Sequence, residues 1–246
     1  MKILDLNELL QAHPYPGRGI VLGRSADGQK AVIVYFIMGR SENSRNRIFE
    51  TTDDGIRTRA FDESKMVDPS LIIYHPVRRV GEVTVVTNGD QTDTIRDGLL
   101  ASKSYIDALR TRCYEPDGPN YTPRISGVVE KDGAFCLSIL KSADGDPACS
   151  HRYFYEYDAP LAGEGRFIHT YQENAEPLPS FEGEPRRVSV SAPDAETLAS
   201  QVWASLNEDN KVSLFVQYIH LATGERETVI LNKHGEQAHA ASKVPN

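Results

Sequence analysis

Ala31-Val-Ile-Val-Tyr-Phe-Ile-Met38 is the longest apolar stretch of the chain, eight residues in all. It falls well short of the roughly 18 residues that span a membrane. Its β-branched and aromatic residues predict a strand instead. Strands of similar makeup are predicted around Val21, over Leu71 to Pro76 and over Glu82 to Thr87, separated by turn formers such as Ser25-Ala-Asp-Gly28.

From Thr94 the period changes. Ile95, Leu99, Ile106 and Leu109 recur at three-to-four spacing, which predicts one long helix over 94–111, with Asp93 as its cap and Arg110 and Arg112 at its C-terminal dipole. Strand patterns resume at Arg124 to Val129, Ala134 to Leu140, Arg152 to Tyr157 and Arg166 to Tyr171. Such a succession of short strands favours antiparallel pairing. Residues 174–187, dense in Pro, Glu and Gly, form the best loop or linker candidate. The stretch beyond it is short for an independent core, so a single domain over 1–246 is expected. A second helix is predicted after Ser191-Ala-Pro-Asp194, with Pro193 in its first turn and Leu198, Val202 and Leu206 as an apolar stripe beside Trp203. A hairpin, Lys211 to Leu221 with Glu225 to Leu231, closes the pattern, and the tail after Asn232 reads as loose. Many strands and two helices with little βα alternation give an α+β class, antiparallel sheets with helices outside.

Of 246 residues, 39% are hydrophobic and 25% charged, which excludes a disordered, collagen-like or coiled-coil chain. Net charge is 27 − 35 = −8, which argues against nucleic acid or an anionic membrane as partner. The charge is uneven: residues 1–60 hold 9 Lys+Arg against 7 Asp+Glu, a local excess that suits a small anion. Met1 to Leu10 carries acids where a signal peptide needs an apolar segment, so a cytoplasmic protein is expected. Cys113, Cys136 and Cys149 lack C-x-x-C spacing and read as buried or idle thiols. None of the 7 histidines falls in H-E-x-x-H or H-x-H, so no metal is expected. Neither a phosphate-binding G-x-x-x-x-G-K-[ST] nor a G-x-S-x-G elbow is present, and the glycines at 17, 19 and 23 miss the dinucleotide fingerprint.

Four segments could carry chemistry. Arg40-Ser-Glu-Asn-Ser-Arg-Asn-Arg47 puts three guanidinium forks just after the most apolar strand, a pattern that binds phosphate or carboxylate or else forms a solvated basic loop. Tyr15-Pro-Gly-Arg-Gly19 holds Arg18 in a rigid turn of low bulk. Thr87-Asn-Gly-Asp-Gln-Thr-Asp-Thr94 lies at a strand-to-helix junction, where backbone N–H groups favour anions, although Asn-Gly is also an ordinary turn. Tyr114-Glu-Pro-Asp-Gly-Pro-Asn-Tyr-Thr-Pro-Arg124 is stiffened by three prolines and displays Glu115, Asp117 and Arg124, which suits either acid–base positioning or a structural crossover.

Together these segments resemble the archaeal-type IMP cyclohydrolase family, best over residues 15–130, through T-N-G-x-x-T-D-T-I and Y-E-x-D…T-P-R-I. The resemblance implies an αββα four-layer sandwich like that of the N-terminal-nucleophile hydrolases, without the N-terminal nucleophile; Lys2 agrees with that absence. It implies closure of the purine ring of 5-formamidoimidazole-4-carboxamide ribotide to IMP and water, an activity classed with hydrolases of cyclic amidines, using no cofactor. Carried over by position, it assigns Tyr74 and Glu115 to proton transfer and Arg47 to the phosphate or a carbonyl. Asn88, Thr92 and Arg124, then Arg18, Arg40 and Arg45, follow as substrate-binding candidates. At ordinary pKa values Tyr74 would donate and Glu115 accept. A homo-oligomer acting on a small purine ribotide is expected. The alternatives are an amidohydrolase of the same fold acting on another formamide or cyclic amide, and a purine-ribotide-binding protein without turnover.

Overall fold

The computed structural model describes residues 2–143, 145–235 and 238–242, the last five by backbone alone. The described residues form two seven-stranded antiparallel sheets. The first contains β1 (Arg18–Arg24), β2 (Lys30–Met38), β10 (Glu164–His169), β11 (Arg186–Ser189), β12 (Lys211–His220), β13 (Arg226–Asn232) and β14 (Ala238–Ser242), in the order β11-β10-β1-β2-β12-β13-β14. The second is a meander in chain order: β3 (Arg47–Thr52), β4 (Gly55–Ala60), β5 (Val77–Val80), β6 (Val83–Thr87), β7 (Arg124–Val129), β8 (Phe135–Ala143) and β9 (Asp146–Tyr157).

The decisive apolar stretch is a central strand. Because side chains alternate across a sheet, Ile33, Tyr35 and Ile37 join the core between the sheets, while Val32, Val34 and Phe36 join a second core on the opposite face. That outer core is closed by α1 (Leu6–Ala12), through Leu6 and Leu10, and by α5 (Ala195–Ser205), through Leu198 and Val202. The second sheet carries a smaller outer core, in which Val85, Val128 and Leu140 meet Ile95 of α3 (Gln91–Leu100) and Tyr105 and Leu109 of α4 (Tyr105–Leu109). A four-residue helix, α2 (Glu42–Arg45), is held by a capping box between Ser41 and Ser44. No helix among the described residues is long and apolar enough to cross a membrane.

Several expectations need correction. The helix predicted over 94–111 is two helices, α3 and α4. Lys103 N–H bonds the Gly98 carbonyl and Ser102 N–H that of Leu99, the pattern that ends a helix, with Ser102 in the left-handed region at φ 58°. Ser104 then restarts the chain by accepting from Asp107 N–H at 3.0 Å. Asp93 caps nothing: Asp90 stands at the cap position, and Asp93 pairs with Arg78 at 2.8 Å. Arg110 and Arg112 reach carboxylates, of Asp107 and Asp90, rather than helix carbonyls. Leu71 to Pro76 is no strand: Ile72 and Ile73 both turn back onto the Pro69 carbonyl, and the sheet is taken up again only at Val77. Pro193 precedes the cap of α5, Asp194, instead of entering its first turn. The tail is not loose throughout, since β14 extends the first sheet by pairing with β13. The segment over 174–187 is not a loop throughout: it lies on the connection from β10 to β11, its neighbour in the first sheet, and its last two residues, Arg186 and Arg187, already belong to β11.

Candidate active site

The second sheet starts at Arg47, directly after α2, and the first starts with Arg18 on β1. Arg47 is fully buried, and its Nε donates to the Ser44 carbonyl at 2.8 Å. Arg18 follows Gly17, whose φ of 78° suits glycine and where a Cβ would lie 2.3 Å from Thr170 Oγ1 and 2.5 Å from the Tyr171 ring. The low-bulk turn therefore admits another part of the protein: Tyr171 comes in from beyond β10 and stacks on Tyr15 at 5.8 Å between ring centroids.

Tyr74 enters from the irregular segment before β5. Its backbone is clamped by Thr58, whose Oγ1 accepts from Tyr74 N–H at 2.9 Å and whose N–H donates to the Tyr74 carbonyl at 2.8 Å. Its hydroxyl meets that of Tyr35 at 2.7 Å. Glu115 lies in the proline-stiffened loop, where its N–H bonds the Thr122 carbonyl at 2.9 Å and Thr122 N–H bonds Asp117 Oδ1 at 2.6 Å. Thr122 Oγ1 also donates to Asp117 Oδ2 and meets the Tyr171 hydroxyl at 2.6 Å. A carboxylate only accepts, so the threonine proton goes to Asp117 and the Tyr171 hydroxyl donates to Thr122. The Tyr171 oxygen is thereby left an acceptor in the neighbourhood of Arg18.

Among the described residues, ten buried side-chain polar atoms have no partner. Five of them belong to this cluster: Arg18 Nε, Arg47 Nη1 and Nη2, Glu115 Oε1 and Arg124 Nε. Burying such groups unpaired costs on the order of 1–3 kcal/mol each, and more when charged. A convergence of them makes this cluster the candidate functional site. Open cavities lie elsewhere, among them one of about 220 Å³ beside Arg226 and His220 and one of about 330 Å³ beside His13 and His169. Volume is the weaker guide here, because neither gathers comparable unpaired charge.

Burial pushes Glu115 up to about 7, outweighing the attraction of Arg18 and then Arg124. Tyr74 is raised by the same loss of solvent, against Arg47 and Arg18. Burial lowers Arg47, whose charge the Tyr74 oxygen supports, while for Arg18 burial is overcome by Glu115 and the surrounding phenols, leaving it well above its ordinary value. At neutral pH Tyr74 therefore keeps its proton, and Glu115 populates both of its forms. The ordinary-pKa assignment holds for the phenol and is modified for the carboxyl.

The remaining candidates divide. Arg124 approaches Glu115 while its Nη1 bonds Asp90 at 2.6 Å and Gln91 at 2.8 Å. Asn88 spends its amide on Pro123 O, Ile125 N and Gln91 Nε2. Thr92 Oγ1 bonds Thr87 Oγ1 and Gly89 O. Arg40 pairs with Glu176 at 3.1 Å and lies over the Tyr15 ring, and Arg45 holds Gly39 O and Asn210. The side chains of Asn88, Thr92, Arg40 and Arg45 hold loops together. Tyr35 and Tyr171 were not singled out from the sequence. The available signal for Tyr35 was a hydroxyl in the middle of the most apolar strand, which had to find a buried partner; for Tyr171, remote in sequence, there was none.

Two antiparallel sheets closing over arginines, phenols and a carboxyl define an α+β protein with a buried cluster of ionisable side chains between its sheets. The chain belongs to the IMP cyclohydrolase-like protein family, whose sequence model matches residues 15–225. It is similar to the IMP cyclohydrolase of Methanococcus maripaludis strain C5, 32% identical over 180 residues, covering 68% of this chain and 86% of that protein. The IMP cyclohydrolase of strain C7 is 36% identical over 126 residues, 49% of this chain and 61% of that protein. That of Methanosphaera stadtmanae is 28% identical over 186 residues, 74% of this chain and 81% of that protein. With strain C7 the match thus spans less than two thirds of the relative's length.

Proposed function

We propose that this chain is an IMP cyclohydrolase of purine biosynthesis, closing the ring of 5-formamidoimidazole-4-carboxamide ribotide to IMP with loss of water. Family membership and relatives of that name support the reaction. The observation that carries the site is the convergence of unpaired buried atoms on Arg18, Arg47, Glu115 and Arg124 beside Tyr74. The three cores separating helix, sheet, sheet and helix layers support the arrangement of N-terminal-nucleophile hydrolases within one domain.

The carboxamide nitrogen is a poor nucleophile, so the site must hold it against the formyl carbon and manage protons. As the N–C bond forms, the formyl π pair moves onto oxygen, where Arg47 stabilises the charge with its two unpaired donors. Glu115 takes a proton from the carboxamide nitrogen, and Tyr74 delivers one to the oxygen. In the second half the formamido nitrogen loses its proton, the C–O bond breaks, the oxygen leaves as water with a second proton, and the C=N bond of the purine forms. A carboxyl near pKa 7 is suited to taking up and returning these protons. Arg18 is the binding candidate for the anionic end, with Arg124 as the second cation beside Glu115, and Asn88, Thr92, Arg40 and Arg45 shape the surrounding loops.

The test is the absorbance change when purified protein receives the formamido ribotide. Turnover is expected for the native chain, and its loss after Glu115→Gln combined with Tyr74→Phe. Tight IMP binding without ring closure would instead favour a ribotide-binding protein.

A further inference from the structure

Tyr35 is a phenol in the core between the sheets, with no exposed surface and its ring stacked on Phe49 at 5.6 Å between centroids. Its hydroxyl has one hydrogen-bonding neighbour among the described residues, the Tyr74 hydroxyl at 2.7 Å. Geometry alone allows either oxygen to donate, but the alternatives differ in what they leave unsatisfied. If Tyr74 donated, the Tyr35 proton would be buried with no acceptor, an arrangement that folded proteins avoid. If Tyr35 donates, the Tyr74 proton has no acceptor within the chain either, but Tyr74 is 6% exposed where Tyr35 is 0%, and it faces Arg47, Arg18 and Glu115, whose Oε1 is itself without a hydrogen-bond partner, so its proton is the one a ligand can take. The cations near Tyr74, Arg47 and Arg18, offer it no acceptor at all.

We propose that Tyr35 is the positioning residue for Tyr74: its hydroxyl donates to the Tyr74 oxygen and thereby aims the Tyr74 O–H at the reacting atoms. The catalytic role of Tyr74 in this proposal rests on the reading of the site as a cyclohydrolase centre. Thr58 fixes the backbone of Tyr74, and Tyr35 fixes the rotation of its proton. When Tyr74 gives that proton to the formyl oxygen, its own O–H bond breaks and the phenolate keeps the pair. Tyr35 keeps its proton, and its hydrogen bond, now to an anion, becomes about twice as strong. The charged and titratable groups that face Tyr74 are Arg47, Arg18 and Glu115, and those facing Tyr35 are Tyr74, Arg18 and Arg47.

The experiment compares the native protein with Tyr35→Phe by kcat and KM for the ribotide over pH, and by NMR titration of the protein with ¹³C at the tyrosine ring carbons, with Tyr74→Phe to assign the resonance. Loss of the bond should lower kcat about three- to tenfold with KM within twofold, and move the Tyr74 titration upward by about half a pH unit or more. In a Tyr74→Phe background, Tyr35→Phe should cause no further loss. Phe49→Leu serves as the packing control: it loosens the Tyr35 ring yet should leave the Tyr74 midpoint in place. Should Tyr35→Phe fail to fold, 3-fluorotyrosine at position 35, a stronger donor of nearly the same size, should move the midpoint downward. An unmoved Tyr74 midpoint in either variant overturns the proposal. Absence of ribotide turnover in the native protein would overturn the cyclohydrolase reading, while the titration would still decide the hydrogen bond.

Discussion

Glu115 shows most directly what the site costs the fold. Its carboxyl ionises near 7 in the folded chain against an ordinary 4.5, because burial outweighs Arg18 and Arg124. Below 4.5 the group is protonated whether folded or not and has no effect; above 4.5 the unfolded chain ionises first, and the resulting loss of stability grows until pH passes 7, to a limit on the order of 3 kcal/mol. The native protein should therefore lose stability between pH 4.5 and 7.5 relative to Glu115→Gln, read as diverging urea midpoints; parallel midpoints would contradict the burial argument. The same substitution should lower kcat by about 10² to 10⁴ and erase the limb of the pH–rate profile near 7. Arg47 poses the complementary case, a buried cation with two unpaired donors. Replacing it by methionine removes an uncompensated buried charge, so the unfolding midpoint should hold or rise while calorimetric IMP binding disappears. A fall in stability without loss of binding would make Arg47 a structural residue. The sequence pointed to both groups through motif resemblance, and to Arg18 through its turn. It did not rank the arginines, because whether Arg40 and Arg45 are free or engaged depends on residues as distant as Glu176 and Asn210.

At the scale of elements, periodicity located β1, β2, β6 to β10, β12 and β13 and the regions of α3, α4 and α5; it missed β3, β4, β5, β11, β14, α1 and α2, and it failed where local geometry overrides pattern. Ile95, Leu99, Ile106 and Leu109 do share one apolar face, yet the chain between them stops and restarts through Ala101-Ser-Lys103, which contains neither Gly nor Pro to announce a break. The close packing of α3 on α4 depends on Gly98, where an added Cβ would lie 2.7 Å from the Ala108 Cβ. Gly98→Ala should thus destabilise by about 1–3 kcal/mol, despite alanine's advantage of roughly 1 kcal/mol inside a helix. Ser102→Gly at φ 58° should act oppositely, stabilising by about 0.5–1 kcal/mol in the same denaturation series. If Gly98→Ala instead stabilised the chain, helix propensity would have won and the contact would be looser than described. The segment over Leu71–Pro76 was misread as a strand because its composition is that of one. What excludes it is turn bonding to the Pro69 carbonyl, and that irregularity leaves Tyr74 to be set by Thr58 and Tyr35 rather than by a sheet register.

For the whole molecule, the α+β class and antiparallel pairing could be read from strand spacing, but the assignment of strands to sheets could not. The chain leaves the first sheet after β2, builds the entire second sheet as a meander, and returns at β10, an order that depends on pairings between residues as far apart as Gly19 and His169. That path has a consequence for ligand binding. Arg18 and Tyr35 stand on the first sheet, Arg47 and Arg124 on the second, so a ligand that satisfies the unpaired atoms of Arg18 and Arg47 ties the two sheets together. Binding to the folded chain alone stabilises it by RT ln(1 + [L]/Kd), about 2.7 kcal/mol at a hundredfold excess over Kd. For a chain of this size that corresponds to a rise of roughly 5 to 10 °C in Tm. Calorimetric scans with IMP should show this rise, and amide exchange should slow on β1 and β3 alike. Because the coupling runs through Arg47, Arg47→Met should abolish the rise in Tm and the added protection on both strands. Protection confined to one sheet, or a rise in Tm that survives Arg47→Met, would mean that IMP binds away from the seam between the sheets.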